Sequence, residues 1–270
     1  MTLFDFWKSL PTGPKRAAKR LWFEFLSSVE SGADFLLMNH GYAHLNPLAN
    51  ESPLSPEDAA CRFQIQLYHR VASAIDWRGR EALEVSCGRG GGTSYVARTF
   101  EPRSIVGLDI TANAIRFCRR RYSAPGLSFR RGNAESLPFP DESFDIVLNV
   151  ESSVTYANPE KFFFEAARVL RPGGTFLFAD YRKRKGIEKM HDQLRRTQLE
   201  MLKEEDITPN VAAALELDDE RKRRLVEVYL PRLLQGPFLQ FAGAKGGDDD
   251  DHRRFARGEK IYLSCVLRKH

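Results

Sequence analysis

The fold of this 270-residue chain is decided by the stretch Leu83-Glu-Val-Ser-Cys-Gly-Arg-Gly-Gly-Gly92. A short β-prone run ends here in a cluster of glycines, and a helix-compatible segment follows over 93–100. A turn from a strand into a helix favours glycine where φ is positive or where backbone lies against a ligand. We expect Gly88 and Gly90 to fill these roles, so the stretch predicts a ligand-binding strand–turn–helix unit.

Two acidic residues indicate what the turn binds. Glu84 precedes the glycines, and its carboxylate can accept hydrogen bonds from a cationic or hydroxylated ligand. Asp109 lies nineteen residues after Gly90 and ends a second apolar run, 104–109. An acid at the carboxyl end of the neighbouring strand suits the two hydroxyls of a ribose. The spacing therefore predicts a nucleoside site.

Other glycine-rich turns fit this sequence less well. A dinucleotide site has the pattern Gly-x-Gly-x-x-Gly, but the sixth position counted from Gly88 is Thr93. A phosphate loop continues as Gly-Lys-Ser or Gly-Lys-Thr, and no such triplet follows. The pattern favours a nucleoside bound without a phosphate. A flexible turn with no ligand is the alternative, and the two acids argue against it.

Four motifs between about residues 66 and 181 jointly resemble those of the class I, Rossmann-like, S-adenosylmethionine-dependent methyltransferases. They are Glu84-Val-Ser-Cys-Gly-Arg-Gly90, Gly107-Leu-Asp109, Gly132-Asn-Ala-Glu-Ser-Leu-Pro-Phe139, and Phe144-Asp-Ile-Val147 followed by Leu170-Arg-Pro-Gly-Gly174.

Three longer strings are similar to a narrower branch that contains the phthiotriol and phenolphthiotriol dimycocerosate methyltransferases and bacterial polyketide-tailoring relatives. These strings are Leu67-Tyr-His-Arg70, Val85-Ser-Cys-Gly88 and Leu148-Asn-Val-Glu-Ser152. Two positions depart from the wider family. Ser86 replaces the first glycine of the usual turn, and Asn133 stands where an aspartate commonly faces the adenine amino group. An amide oxygen can accept the same hydrogen bond without the charge.

The alternation of strand and helix patterns predicts an α/β fold. We expect a doubly wound, mostly parallel, seven-stranded sheet with helices on both faces. The first five strands are predicted near 81–86, 104–109, 127–131, 144–150 and 174–180, with helices over 91–100, 111–122 and 158–170. Two last strands, over 238–244 and 260–267, resemble the antiparallel pair that closes this family's sheet. Right-handed crossovers place the carboxyl ends of the parallel strands at one edge, where ligands bind.

The sequence divides into four segments. Residues 1–75 are predicted to form an N-terminal helical lid, with helices near 14–31 and 56–75. The cofactor-binding core spans 76–182, a charged helical cap without strands spans 183–236, and the strands that complete the sheet lie within 237–270.

The resemblance implies that S-adenosylmethionine is the cofactor. Glu84 and the turn would face its methionine part, Asp109 its ribose, and Ile110 the adenine ring. Tyr68 would reach the methionine carboxylate, or else only pack. The implied cofactor-binding set is Tyr68, Glu84, Gly88, Gly90, Asp109, Ile110, Asn133, Ala134 and Asn149, with Asn133 and Ala134 reading the adenine edge and the Asn149 carbonyl accepting from the methionine amine.

Methyl transfer to an aliphatic hydroxyl also needs a group that takes the hydroxyl proton. Glu151 follows the fourth strand directly, where this fold presents groups to the transferred methyl, and it can take the proton or stabilise the sulfonium. His40 and His44 suit general-base work by their ordinary pKa, although either can be a packing histidine. The run Asp248–Asp251 suggests a metal ligand set or, as we favour, a solvated hairpin loop.

Composition sets outer bounds on function. The net charge is +5 and the pI near 9.0, but the basic clusters are short and separated, which favours solvated helix faces over a nucleic-acid surface. Four scattered cysteines, the lack of a signal-peptide pattern and the absence of a long apolar run predict a cytoplasmic protein that is not inserted in a membrane. The apolar residues of 162–164 suggest a lid or a contact in a homo-oligomer.

The sequence therefore predicts a methyltransferase of a hydrophobic small molecule, with O-methylation of a polyketide or lipid-like hydroxyl as the leading hypothesis. Three alternatives stay open: C-methylation of a prenyl or other carbon acceptor, a non-catalytic cofactor-binding protein, and a nucleic-acid methyltransferase.

Overall fold

The structure, a computed structural model, describes residues 37–46, 54–56, 58–229, 232, 235, 239 and 251–270. The helix predicted over 14–31, all but one residue of the strand predicted over 238–244, and Asp248, Asp249 and Asp250 lie outside this part of the chain.

The described strands form one seven-stranded sheet in the order β3-β2-β1-β4-β5-β7-β6. Strands β1 to β5 run parallel, and β7 is antiparallel to both β5 and β6. The order reverses between β1 and β4, which is the switch point at which open α/β sheets bind ligands. The strands are β1 (Glu81–Val85), β2 (Ser104–Asp109), β3 (Leu127–Arg131), β4 (Phe144–Val150), β5 (Leu170–Lys183), β6 (Leu199–Asp206) and β7 (Lys260–Lys269).

Helices cover both faces of the sheet, as β1 shows residue by residue. Ala82 belongs to an apolar cluster with Ile65 and Val96, whereas its neighbour Leu83 belongs to a second cluster with Phe163 and Val169. Successive side chains of a strand point to opposite faces, so each face has its own core. The described α-helices are α1 (Arg62–Ala72), α2 (Gly91–Phe100), α3 (Ala112–Arg121), α4 (Pro159–Val169), α5 (Ile187–Arg195), α6 (Thr208–Leu217), α7 (Asp219–Tyr229) and α8 (Asp251–Ala256).

The prediction that residues 183–236 lack strands is wrong. Strand β6 lies inside this segment and, with β7, supplies the antiparallel part of the sheet. Its sequence, Leu-Glu-Met-Leu-Lys-Glu-Glu-Asp, has no regular apolar alternation, because β6 is an edge strand with most side chains exposed. Charged side chains on an edge strand hinder pairing with other chains, and they also conceal the strand in the sequence.

Two further predictions need correction. The helix expected over 56–75 is shorter, with a 3-10 turn at Ala59–Cys61 followed by α1. Phe162 and Phe163 are fully buried in the core, so of the apolar run 162–164 only Phe164 is exposed enough to touch another subunit. Among the described residues, no helix is long and apolar enough to span a membrane, and none of the four cysteines forms a disulfide.

Candidate active site

The turn after β1 has a left-handed backbone at Ser86 (φ 63°), Gly88 (φ 55°) and Gly90 (φ 75°). The Gly88 N–H donates to Asp109 Oδ2 at 3.0 Å, which ties the turn to the end of β2. A Cβ on Gly90 would lie 2.8 Å from the Phe129 ring and 2.9 Å from the sulfur of Cys118. The positive φ predicted for Gly90 is thus confirmed, and the glycine is also required for packing beneath the turn.

Sequence reasoning missed a third glycine in the same stretch. A Cβ on Gly92 would lie 2.0 Å from Cζ of the Tyr68 ring, so the ring rests directly on the first turn of α2. Nothing in the glycine run itself distinguishes this position. The close approach explains how Tyr68, from α1, reaches the end of β1.

Glu84 is almost completely buried at the end of β1 and is held by two hydroxyls. Tyr68 donates to Oε1 at 2.6 Å, and Thr93 donates to Oε2. Burial raises the pKa of Glu84 to about 7, even though both hydrogen bonds oppose the shift. Since burial penalises the charged form, a cationic ligand group placed beside Glu84 would favour its ionisation.

Asp109 lies at the end of β2, where ribose recognition was predicted. Its Oδ1 accepts from the Thr111 N–H at 2.8 Å and from the Thr111 hydroxyl at 2.6 Å, while Oδ2 accepts from Gly88. The adjacent Ile110 side chain is 43% exposed. The structure thus places a fixed carboxylate next to an apolar side chain that is open to a planar ring.

The two residues predicted to read the adenine edge lie in the loop after β3. Asn133 Oδ1 accepts from the Glu135 N–H at 3.0 Å, so one of its two lone pairs is already used inside the loop. Ala134 is buried in the apolar cluster that contains Leu83.

Asn149 is fully buried near the end of β4 and joins β4 to β1. Its amide nitrogen lies 2.9 Å from the Val85 carbonyl oxygen, 2.5 Å from Ser152 Oγ and 3.1 Å from Tyr156 OH, and these three acceptors share its two hydrogens. Tyr156 OH also lies 2.6 Å from Ser86 Oγ. The serine in place of the first glycine is thus part of a polar network that the motif alone did not reveal.

An orphaned atom in this network tests whether the site fits the predicted cofactor. Asn149 Oδ1 is buried and has no hydrogen-bond partner among the described residues. Buried acceptors of this kind are costly unless a donor meets them. The amide group of Asn149 lies beside the Val85 carbonyl at the end of β1, so the ammonium group of an amino acid bound at this end of the sheet would satisfy the oxygen. The site therefore fits a ligand with a methionine-like part.

Glu151 and His40 are in direct contact, although 111 residues separate them. The His40 N–H donates to Glu151 Oε2 at 2.8 Å, and the ring Nδ1 bonds to Oε1. Tyr262 OH donates to Oε2 at 3.1 Å. Glu151 also has a left-handed backbone, with φ 49°, which is strained for a residue with a side chain. Strain of this kind concentrates at functional sites.

The hydrogen-bond chain continues beyond His40. Its Nε2 lies 3.1 Å from Asp251 Oδ2, and Lys260 Nζ donates to Asp251 Oδ1 at 2.6 Å. Burial alone would lower the pKa of His40, but the charges and hydrogen bonds of Glu151 and Asp251 outweigh it and raise the pKa to about 9. The His40 ring is therefore an imidazolium at neutral pH. Asp251 is a member of a buried ion chain, which corrects the prediction that it lies in a solvated loop.

His44 does not join this cluster. Its ring packs edge-on against Tyr42, 5.2 Å between centroids. The three groups predicted as catalytic therefore separate: the structure brings Glu151 and His40 together and places His44 elsewhere. The contacts of Asp251, Lys260 and Tyr262 with this cluster were not predicted, because the sequence does not show which C-terminal side chains face the end of β4.

Aromatic rings enclose the contact between Glu151 and His40. Tyr181 and Phe255 pack edge-on against the His40 ring at 5.2 and 5.6 Å, and Tyr262 packs against both of them. A carboxylate, an imidazolium and three aromatic rings therefore form one buried cluster just after the carboxyl end of β4.

The fold and the turn after β1 define a Rossmann-like enzyme that binds a nucleoside cofactor, and comparison with known proteins specifies the class. A family model described as a methyltransferase domain matches residues 83–178. The chain is 40% identical over 227 residues to the phthiotriol/phenolphthiotriol dimycocerosates methyltransferase of Mycobacterium tuberculosis, covering 84% of this chain and 83% of that protein. It is equally identical over 228 residues to a fatty-acid O-methyltransferase of Mycolicibacterium smegmatis, covering 84% of this chain and 82% of the relative.

The solved structure of geranyl diphosphate C-methyltransferase from Streptomyces coelicolor A3(2), in complex with Mg²⁺, geranyl diphosphate and S-adenosyl-L-homocysteine, has the same fold. The TM-score is 0.65 at 16% identity, with 93% of this chain and 97% of that chain covered. The chain belongs to the class I S-adenosylmethionine-dependent methyltransferases, and its cofactor is S-adenosylmethionine.

Proposed function

We propose that this methyltransferase acts on a hydroxyl group of a hydrophobic, lipid-like or polyketide acceptor. The observation that carries the proposal is the placement of Glu151 directly after β4, where three donors hold its carboxylate beside a group of aromatic rings. The two relatives that share 40% identity are named for acceptors of this apolar kind. S-adenosylmethionine supplies an activated methyl group, so the protein's part is to hold the acceptor, exclude water and take a proton.

Counting hydrogen bonds supports Glu151 as the proton acceptor. A carboxylate offers about four lone-pair sites. Two donors on His40 and the Tyr262 hydroxyl occupy three of them. One site is left for the O–H of an acceptor. The hydroxyl becomes strongly acidic as its oxygen gains the methyl group, and a positioned carboxylate then takes the proton.

The same geometry favours a hydroxyl over a carboxylate as the acceptor. An acceptor carboxylate has no proton to donate to Glu151 at neutral pH, and two like charges repel each other strongly beside a side chain that is only 7% exposed to water. Because methylation of a carboxylate requires no base, a fixed carboxylate would serve no purpose there. The fatty-acid O-methyltransferase relative makes this distinction worth testing.

We propose the following contacts between the protein and the cofactor. Glu84 and the Asn149 oxygen receive the methionine amine, Asp109 receives the ribose hydroxyls, and Ile110 packs on the adenine ring. Tyr68 acts through Glu84, to which its hydroxyl is already bound, rather than through the methionine carboxylate. The remaining predicted contacts come from the turn at Gly88 and Gly90 and from Asn133 and Ala134 at the adenine edge.

We also propose that the N-terminal segment (1–75) and the part of the segment 183–236 outside strand β6 act as a lid over the cofactor edge. The described part supports this: the Ala43 N–H donates to the Asn210 carbonyl at 3.1 Å, and Asn210 Nδ2 donates to the Ala43 carbonyl at 2.9 Å. These bonds join the two segments next to His40.

C-methylation is the second candidate, since Glu151 could equally take a proton from a carbocation. The binding of a metal diphosphate by Asp251 is disfavoured, because both of its oxygens are bound within the ion chain.

A pair of acceptors with the same chain tests the proposal. Purified protein with labelled S-adenosylmethionine should methylate a long-chain alcohol and leave the matching fatty acid almost unchanged. Glu151→Gln should lower kcat about 10²- to 10⁴-fold with little change in cofactor affinity. Preference for the fatty acid, or full activity of the variant, would contradict the proposal.

A further inference from the structure

The ion chain extends past the groups that touch the acceptor, and its outer part comes from a different region of the sequence. Glu151 directly follows β4, His40 precedes α1, Asp251 begins α8, and Lys260 begins β7. His40 and Glu151 are 6% and 7% exposed, Asp251 is 14% and Lys260 8%. All four charges are thus largely removed from water, and each depends on its neighbours for stabilisation.

We propose that Asp251, held by Lys260, is a positioning residue that fixes the His40 ring so that the ring in turn holds Glu151 against the acceptor. This inference rests on the proposed role of Glu151. The contacts that carry it are a hydrogen bond on each ring nitrogen of His40, one to each carboxylate, and the 2.6 Å bond from Lys260 to Asp251.

The two contacts at opposite ends of the ring determine its orientation. An imidazole bonded at Nδ1 alone can swing about that bond, whereas a ring bonded at both nitrogens cannot. Tyr181 and Phe255 each make a T-shaped contact with the His40 ring, which also restrains it. Lys260 lies 4.4 Å from the centroid of Tyr181, so the same ammonium supports Asp251 and the Tyr181 ring.

Charge makes the proposal testable, because Asp251 and Lys260 act on His40 with opposite signs. The charged and titratable groups around the ring come from four elements. They are Glu151 just after β4, Asp251 of α8, Tyr181 of β5, and Tyr262 and Lys260 of β7. Lys222 of α7 is farther from the ring but acts electrostatically on Glu151. The negative charge of Asp251 stabilises the imidazolium. The ammonium of Lys260 weakens that effect by neutralising Asp251.

The sign can be worked out for the pH–rate profile. The pKa of His40 is raised to about 9, so the charged ring persists from low pH up to that value and is lost above it. We therefore expect kcat to fall above about pH 9, because the neutral ring no longer holds the Glu151 carboxylate by a charged hydrogen bond. Asp251→Asn should move this alkaline limb down by about one to two pH units. Lys260→Met should move it up, because the full charge of Asp251 then acts on His40.

A direct readout of His40 separates this inference from the proposed function. Proton or nitrogen NMR of the imidazole, assigned with a His40→Gln sample, gives the pKa of the ring in protein without any acceptor. The same downward and upward shifts are expected in the two variants. If no hydroxyl acceptor is methylated but the NMR shifts appear, the proposed function fails while the linkage from Asp251 to His40 stands.

A matched control removes another carboxylate from a histidine. Glu204 lies 2.7 Å from His191 Nε2 on the edge strand, and Glu204→Gln should leave the alkaline limb where it is. If Asp251→Asn does not fold, the upward shift of the alkaline limb expected for Lys260→Met is the test of the proposal. Limbs that stay fixed in both variants, or that move in the same direction, would overturn the proposal, because a merely structural role predicts lower activity without opposite shifts.

Discussion

The affinity for the cofactor should depend on pH through Glu84. Burial raises the pKa of this carboxyl to about 7, so it is largely protonated in the free protein at pH 5.5 and largely ionised at pH 7.5. If only the ionised form receives the methionine amine, the apparent Kd scales inversely with the ionised fraction. That fraction rises from about 3% to about 76% over this range, which predicts a roughly 25-fold gain in affinity.

Calorimetry with S-adenosylhomocysteine measures this effect without methyl transfer. At pH 5.5 binding should release close to one proton, which appears as a dependence of the heat on the buffer. Glu84→Gln cannot ionise, so its affinity should be low and nearly constant over the range. Tyr68→Phe is a matched control that removes one donor to Glu84 while keeping the ring. It should raise the pKa of Glu84 and move the transition to higher pH. A wild-type Kd that stays constant between pH 5.5 and 7.5 would refute the role of Glu84.

Two other perturbations test the cofactor edge. Asp109→Ala should weaken S-adenosylhomocysteine binding about tenfold or more in calorimetry, because the ribose hydroxyls lose a buried acceptor and the turn at Gly88 loses its anchor; unchanged affinity would place the ribose elsewhere. Gly92→Ala should lower the free energy of unfolding by about 1–3 kcal/mol and lower the affinity as well, since the added Cβ meets the Tyr68 ring. Gly186→Ala is the control in thermal denaturation, because its added Cβ has no neighbouring atom nearer than 4.0 Å. Equal melting temperatures of the two variants would contradict the packing of Gly92 against Tyr68.

Local sequence patterns predicted the parallel half of the fold well. Strands β1 to β4 were placed within a residue or so. For β1, β2 and β4 the reason is that most of their residues are buried inside the sheet. The edge strand β3 buries only Phe129, and it was located by its place in the alternation of strands and helices. The positive φ values at Gly88 and Gly90 were also anticipated, since a tight strand-to-helix turn requires them. The edge strand β6 was missed because its exposed positions are charged.

The sequence predicted those site residues whose position follows from a single strand, but not the contacts between distant segments. Glu84, Asp109 and Glu151 end parallel strands, so their common edge follows from the topology. The pairing of His40 with Glu151 and Asp251 spans 111 and 211 residues, and one sequence does not show which histidine meets which carboxylate. Asp251 was predicted to lie in a loop for the same reason, because its partner His40 comes from the other end of the chain.

The most direct test of the account uses an acceptor that carries both kinds of oxygen. A long-chain hydroxy acid is incubated with the protein and S-adenosylmethionine bearing a deuterated methyl group, and the label is located by mass spectrometry before and after alkaline hydrolysis. We predict a methyl ether, which keeps the label through alkali, and its loss in Glu151→Gln. A methyl ester that alkali cleaves, or a label attached to carbon, would contradict the claim that Glu151 takes a proton from a hydroxyl.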